Sequence, residues 1–188
     1  MVDPPSENDR LVHGDQLRPT PEQHQRLKSA IHGERFVTIK RSRRRYLVIG
    51  RGGGEAGDRR ERVRSRLDER DDATAFRLED FNLTNEELEL WVPAFEILSA
   101  IASHIVGIVE DFDGGHVWEL GYLYNHQTRV ADILWLLKRI YDSENMMRER
   151  YDNGMAASHM AMLEKAAADR VIPWGNDDEL DAAVARIP

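Results

Sequence analysis

A carboxylate just past the end of a buried strand is the first feature of this sequence that could do chemistry. His104-Ile-Val-Gly-Ile-Val109 is a short apolar run of strand type, followed by Asp113, Gly114, Gly115 and then Glu119 at the opening of a helical pattern. Open α/β sheets bind ligands outside the carboxyl ends of their strands, so this loop has the right address for a site. Glu119 is expected in the first helical turn, where backbone N–H groups and the helix dipole favour the ionised form and hold it ready as a nucleophile or a base. Gly114 and Gly115 let the loop turn sharply and let a ligand approach the backbone. A glutamate in a first turn is also simply common, so Glu119 taken alone proves nothing. Trp118, Tyr122 and Phe112 lie close enough in sequence to stack on a base, although packing in a core or lid is the commoner fate of aromatic rings.

A second candidate is the glycine-rich run Gly50-Arg51-Gly52-Gly53-Gly54 after the strand Tyr46-Leu47-Val48-Ile49. Its amides and the Arg51 guanidinium are suited to a phosphate or a sugar. Gly52 to Gly57 also satisfies G-x-G-x-x-G between a strand and a helix, with Glu79 after the next strand where a ribose-binding acid would stand. That match to a dinucleotide fold is weak, because three consecutive glycines satisfy the pattern by overlap. No Walker lysine follows the loop. His104, His116, His126 and His159 lack zinc-like spacing, so no metal is expected, and no cofactor is called for.

The elements that must position these residues alternate. Thr20 and Pro21 read as an N-cap and first helical residue, with a short helix to about Ile31. Phe36-Val37-Thr38-Ile39 is expected as a strand, with an antiparallel edge position open to it, joined by an arginine turn (Arg41, Arg43, Arg44, Arg45) to Tyr46–Ile49. Then come a charged helix (Glu55 to Arg70), a strand at Ala73–Leu78, and a helix opened by the capping box of Thr84 and Glu87 and interrupted or kinked at Pro93. The 104–109 strand, the Glu119 helix and a strand at Ile133–Leu137 follow. A helical stretch from Tyr141 to Ala168 breaks near Asn153-Gly154, a fifth strand is placed at Arg170–Trp174, and a last helix opens at Asn176 with three acids in its first turn. This is the pattern of a flavodoxin-like, doubly wound α/β domain, with a mostly parallel sheet of about five strands and helices on both faces. Residues 1–35 are taken as a polar tail and short helix, and residues 36–188 as the domain.

Composition narrows the classes. The chain has 188 residues, no cysteine and a formal charge of −8, and only four of its 26 basic residues are lysine. Disulfides, thiolate metal sites and cysteine nucleophiles are excluded together. No apolar run approaches the roughly 20 residues that span a bilayer, and residues 1–9 have no signal-peptide core, so a cytoplasmic location without membrane attachment is expected. The acid-rich, lysine-poor balance suits high salt and disfavours nucleic acid as a partner, while the arginine turn could still meet a phosphate.

Asp113-Gly114-Gly115-His116-Val117-Trp118-Glu119-Leu120-Gly121-Tyr122 resembles the signature of the nucleoside 2-deoxyribosyltransferase family. The resemblance runs from about Tyr46 to Trp135 and includes the glycine-rich loop, which is similar to that of the branch hydrolysing deoxynucleoside monophosphates. It implies that Glu119 is a covalent nucleophile at the anomeric carbon and that Asp113 assists the leaving base. It also implies an acid eight residues before the third strand, which falls on Glu96, although His104 replaces the family's aspartate. The substrate implied is a nucleoside or nucleotide, bound by Gly50, Arg51, Gly52, Gly53, Gly114, Gly115, Trp118 and Tyr122. A homo-oligomer is implied as a possibility, with Asn153-Gly154-Met155 a loose candidate to complete a neighbouring subunit's pocket. Carboxylates suit such chemistry because breaking a glycosidic bond builds positive charge on the sugar, and three converging acids would repel and raise at least one pKa. The rival expectation is a nucleotide-binding or sensing module without turnover.

Overall fold

The computed structural model describes residues 20–84, 87–126 and 130–188, apart from the side chain of Leu88. In chain order the elements are α1 (Pro21–Ile31), α2 (Glu34–Arg41), β1 (Arg44–Gly50), α3 (Gly54–Asp68), β2 (Ala73–Phe76), α4 (Leu88–Ile101), β3 (His104–Val109), α5 (His116–Asn125), β4 (Leu134–Arg139), α6 (Glu144–Arg150), α7 (Gly154–Ala167), β5 (Val171–Trp174) and α8 (Asp177–Ala185). The five strands form one parallel sheet in the order β2-β1-β3-β4-β5. This is the flavodoxin-like arrangement expected from the alternation of strand and helix. The winding reverses between β1 and β3, whose paired residues run from Tyr46 opposite His104 to Gly50 opposite Ile108. The connections leaving β1 and β3 therefore diverge and open a crevice at the carboxyl edge.

Period-two alternation sends each strand's side chains into two cores. Tyr46 and Val48 of β1, with Val106 and Ile108 of β3, pack under α3 and α8. Leu47 and Ile49, with Ile105 and Val109, pack under α4, α5 and α7 on the other face. At Gly107 the second core is tightly packed, since a Cβ there would meet the Leu136 side chain at 3.1 Å. Pro93 leaves α4 continuous. Asn176 caps α8 as anticipated, its side chain accepting from the Glu179 amide. Among the described residues no helix is long and apolar enough to cross a membrane.

Two expectations are corrected. Phe36–Ile39 is helical, not an edge strand: α2 places Phe36 and Ile39, three residues apart, on one buried face and leaves Val37 exposed. A β-branched tetrapeptide reads locally as a strand, but flanking Glu34, Arg35, Lys40 and Arg41 extend it to two helical turns whose apolar stripe closes the core beside α1. The arginine turn consequently lies at the amino edge of the sheet, away from the crevice. Arg45 donates there to the carbonyls of Ile101 and Ser42 at 2.6 and 3.0 Å. The capping pair also acts differently. Glu87 accepts from the Thr84 amide at 2.9 Å, but α4 begins only at Leu88.

The helical phase of α2 has a measurable consequence. Val37→Lys should leave stability within about 0.5 kcal/mol, whereas Ile39→Ala should cost roughly 2–5 kcal/mol in urea unfolding. A strand would put positions 37 and 39 on the same face, so comparable losses at both would contradict the helix.

Candidate functional site

The crevice is divided by the glycine-rich loop that follows β1. One cleft, of about 530 Å³, is lined by Gly50, Gly52, Arg60, Leu78, Glu79, Trp91, Val92, Gly115, His116, Trp118 and Glu119. The other, of about 520 Å³, includes Arg51, Gly53, Gly54, Arg59, Glu110, Asp111, Arg139, Tyr141 and Arg150.

At the centre of the first cleft is Arg60. Helix α3 buries Arg60, Val63 and Leu67, which share one helical face by their spacing of three and four. The guanidinium thus occupies a position that the helix otherwise gives to apolar residues. It donates through Nη1 to the Gly50 carbonyl at 3.0 Å and pairs through Nη2 with Glu79. Burial lowers its pKa, and the largest opposing influence is the attraction of Glu119. An arginine remains a cation under such pressure, so it stands in the cleft as a fixed positive charge.

Glu119 is in the first turn of α5 and makes no side-chain hydrogen bond with the described residues. The helix terminus was expected to favour its carboxylate form. Instead, burial raises its pKa to about 7, and Arg60 only partly opposes the rise. The carboxyl is walled by protein on every side but the cleft mouth, and this loss of hydration outweighs one buried cation and the helix dipole. Trp91 and Trp118 form an aromatic rim, with the Trp118 ring edge-on to Phe95 at 5.7 Å between centroids.

Only part of the anticipated constellation meets here. Gly50, Gly52, Gly115, Trp118 and Glu119 line the same cleft. Gly53 and Arg51 line the second cleft, and Arg51 donates to Asp111 at 2.7 Å and more loosely to Asp113 at 3.4 Å. Asp113, with a side chain 79 % exposed, and Gly114 are on the loop outside the Glu119 cleft. Glu96 does not join either: it follows buried Phe95 on α4 and points to solvent, while Trp91 and Val92 of the same helix line the cleft. No mutual repulsion of Glu96, Asp113 and Glu119 therefore arises, and the raised pKa of Glu119 comes from burial. Tyr122 turns under Phe95, at 5.3 Å, and stacks on His126, beside a separate small cavity. Phe112 packs edge-on to Tyr151 at 4.9 Å. His104 begins β3, at the opposite end of that strand from the cleft, and its departure from the family pattern does not alter the cleft's walls. Asn153 caps α7 by accepting from the Ala156 amide at 3.2 Å.

The residues missed by reading the sequence are Arg60, Trp91 and the buried acids Glu110 and Asp111. Arg60 left one legible signal: an arginine within an apolar helical stripe. Glu79 was singled out only for a dinucleotide, yet it shares the cleft with Glu119. Asp111 organises the loop before α5, its carboxylate accepting from the Asp113 amide at 3.0 Å and its carbonyl lying 2.9 Å from His116 Nε2. Among the described residues, no group of three or more His, Cys, Asp or Glu side chains is arranged to hold a metal ion.

Helix α3 approaches the loop so closely at Gly57 that a Cβ there would stand 2.9 Å from the Gly52 carbonyl carbon and oxygen. Gly57→Ala should cost about 1–3 kcal/mol by forcing that backbone apart, measurable as a lower urea midpoint. Glu119 supplies a pH-dependent expectation. Its folded pKa lies above its unfolded value, so between about 4.5 and 7 the folded state binds the extra proton and stability falls as pH rises. Relative to the unmodified protein, Glu119→Gln should gain up to about 3 kcal/mol in unfolding free energy on moving from pH 4 to pH 8. A pH-independent difference between the two proteins would contradict the burial of this carboxyl.

No family model matches the chain, and no curated protein or solved structure does so either.

Proposed function

We propose that this protein cleaves or transfers at the N-glycosidic bond of a nucleoside or nucleotide, with Glu119 as the nucleophile. The observation that carries this reading is a carboxyl without a hydrogen-bonding partner among the described residues, raised to about pKa 7, in an aromatic-rimmed cleft that also holds the Arg60–Glu79 ion pair. Glycosidic cleavage places positive charge on the sugar in the transition state, and a poorly solvated carboxylate interacts with that charge more strongly than a hydrated one. Glu119, as the carboxylate, attacks the anomeric carbon as the C–N bond breaks and its electron pair leaves with the base, which takes a proton from solvent water at the open mouth of the cleft. Water, or a second base, then displaces Glu119 from the sugar. Glu79, held by Arg60, accepts hydrogen bonds from sugar hydroxyls, while Trp91 and Trp118 offer apolar faces to the base. Asp113 and Glu96 have no place in this scheme.

The second reading, a nucleotide-binding module without turnover, is favoured by a specific observation. Gly57 is required by close helix–loop approach, the role of the third glycine in a dinucleotide fingerprint, and Glu79 stands after β2 where such a fold places its ribose-binding acid.

The deciding experiment follows free-base release from a panel of deoxynucleosides and their 5′-monophosphates, at low and high salt. Release should vanish in Glu119→Ala, at least about a thousandfold below the unmodified protein, while folding is retained. For a nucleophile, kcat/KM should rise with pH through about 7 as the carboxyl ionises. A profile that falls through the same range would make Glu119 a proton donor instead. Saturable nucleotide binding without release, weakened by Glu79→Gln, would favour the binding module.

A further inference from the structure

The cleft on the other side of the glycine loop differs in chemistry from that of Glu119. Four guanidinium groups, those of Arg51, Arg59, Arg139 and Arg150, line one space of about 520 Å³ together with the opening turn of α3. Carboxylates are present too. Glu110 is 4 % exposed and accepts two bonds from Arg59, at 2.9 and 2.6 Å, and one from Arg139 at 2.8 Å. Asp111 is likewise 4 % exposed and accepts from Arg51. Glu55 at the rim is 89 % exposed, with Arg59 at 3.6 Å. The two buried acids hold three of the arginines in place, and their charge is matched by doing so.

Donors remain. Arg150 stands over the Tyr141 ring at 6.0 Å and pairs with no carboxylate among the described residues. Arg139 gives Nη1 to Glu110, and its Nη2 makes no hydrogen bond among the described residues. Helix α3 is 15 residues long, and its N-cap, Gly53, has no side chain to satisfy the first-turn amides. Guanidinium forks and free amides at a helix start are together complementary to oxyanions with several acceptor oxygens. The Glu119 cleft, by contrast, is lined by one arginine, Arg60, whose two terminal nitrogens bond Gly50 and Glu79.

We propose that the cleft of Arg51, Arg59, Arg139 and Arg150 binds a phosphoryl group, held by these guanidiniums and by the amides of Gly54 to Ala56. This assignment stands on the cleft's own chemistry and does not depend on glycosidic cleavage in the Glu119 cleft. The phosphoryl group has two possible sources: the 5′-phosphate of a nucleotide whose sugar occupies the Glu119 cleft across Gly52 and Gly53, or a separate phosphorylated ligand.

The test is calorimetric titration of the full chain with inorganic pyrophosphate at low ionic strength. Saturable binding is expected, weakened about tenfold in Arg150→Gln and in Arg139→Gln, weakened by added salt, and unchanged in Glu119→Gln. Arg150 is exposed and bears no ion pair among the described residues, so Arg150→Gln tests the site without disturbing the buried acids. Absence of binding in the folded protein, binding indifferent to both arginine substitutions, or binding lost in Glu119→Gln would overturn the assignment. With binding established, competition by a nucleoside 5′-monophosphate but not by the nucleoside identifies the first source. Simultaneous binding of pyrophosphate and nucleotide identifies the second. Failure to release a base from any substrate would count against the glycosidic reading and would leave this titration unaffected.

Discussion

Arg60 is the buried charge around which the carboxyl edge is arranged. Its guanidinium joins the end of β1, through the Gly50 carbonyl, to Glu79 after β2, and its field reaches Glu119 at the start of α5. A buried guanidinium carries a large desolvation cost, which is tolerable only where acceptors surround it. Much of the local design serves that requirement. Gly50 must be free of a side chain, since a Cβ there would press to 3.0 Å from the Ile108 carbonyl oxygen and 3.2 Å from Arg60 Cδ. The tight approach of α3 at Gly57 holds the helix that carries Arg60 against the loop.

The two halves of the crevice use charge in opposite ways. Around Glu110 and Asp111, acids are buried but closely bonded to several arginines, an arrangement that leaves positive groups at the surface of the cleft. Around Glu119, a half-buried carboxyl has no hydrogen-bonding partner and one nearby cation among the described residues, and its proton is correspondingly hard to remove. An unsupported carboxyl of this kind is a burden on stability. Such features are concentrated at sites where a ligand or reaction intermediate supplies the missing interaction. The glycine-rich loop contributes to both clefts, Gly50 and Gly52 to one and Arg51, Gly53 and Gly54 to the other.

What was legible in the sequence and what was not follow from the range of the interactions involved. The succession of strands and helices and the position of Glu119 rest on short-range patterns: buried apolar runs, helix caps at Thr20 and Asn176, and glycines at the strand ends. These patterns determine a doubly wound α/β fold and place an acid at its carboxyl edge. The local pattern failed at Phe36–Ile39, where four residues are too few to separate a period of two from a period of 3.6 and packing beside α1 decides for the helix.

The membership of the site was decided by tertiary structure. The sequence by itself determined that Asp113 and Glu119 share a loop and helix start and that Glu96 precedes β3 on a helix. It carried no information on their facing directions, because the direction of a loop side chain and the rotation of α4 depend on contacts with other elements. Packing turned Glu96 to solvent and Asp113 toward Arg51, and brought Glu79, Arg60 and Trp91 to Glu119 from segments 28 to 59 residues away in the chain. The pKa of Glu119 was reversed from expectation for the same reason. A helix dipole is a local property that sequence reveals, whereas desolvation belongs to the whole cleft and exists only once its walls are assembled.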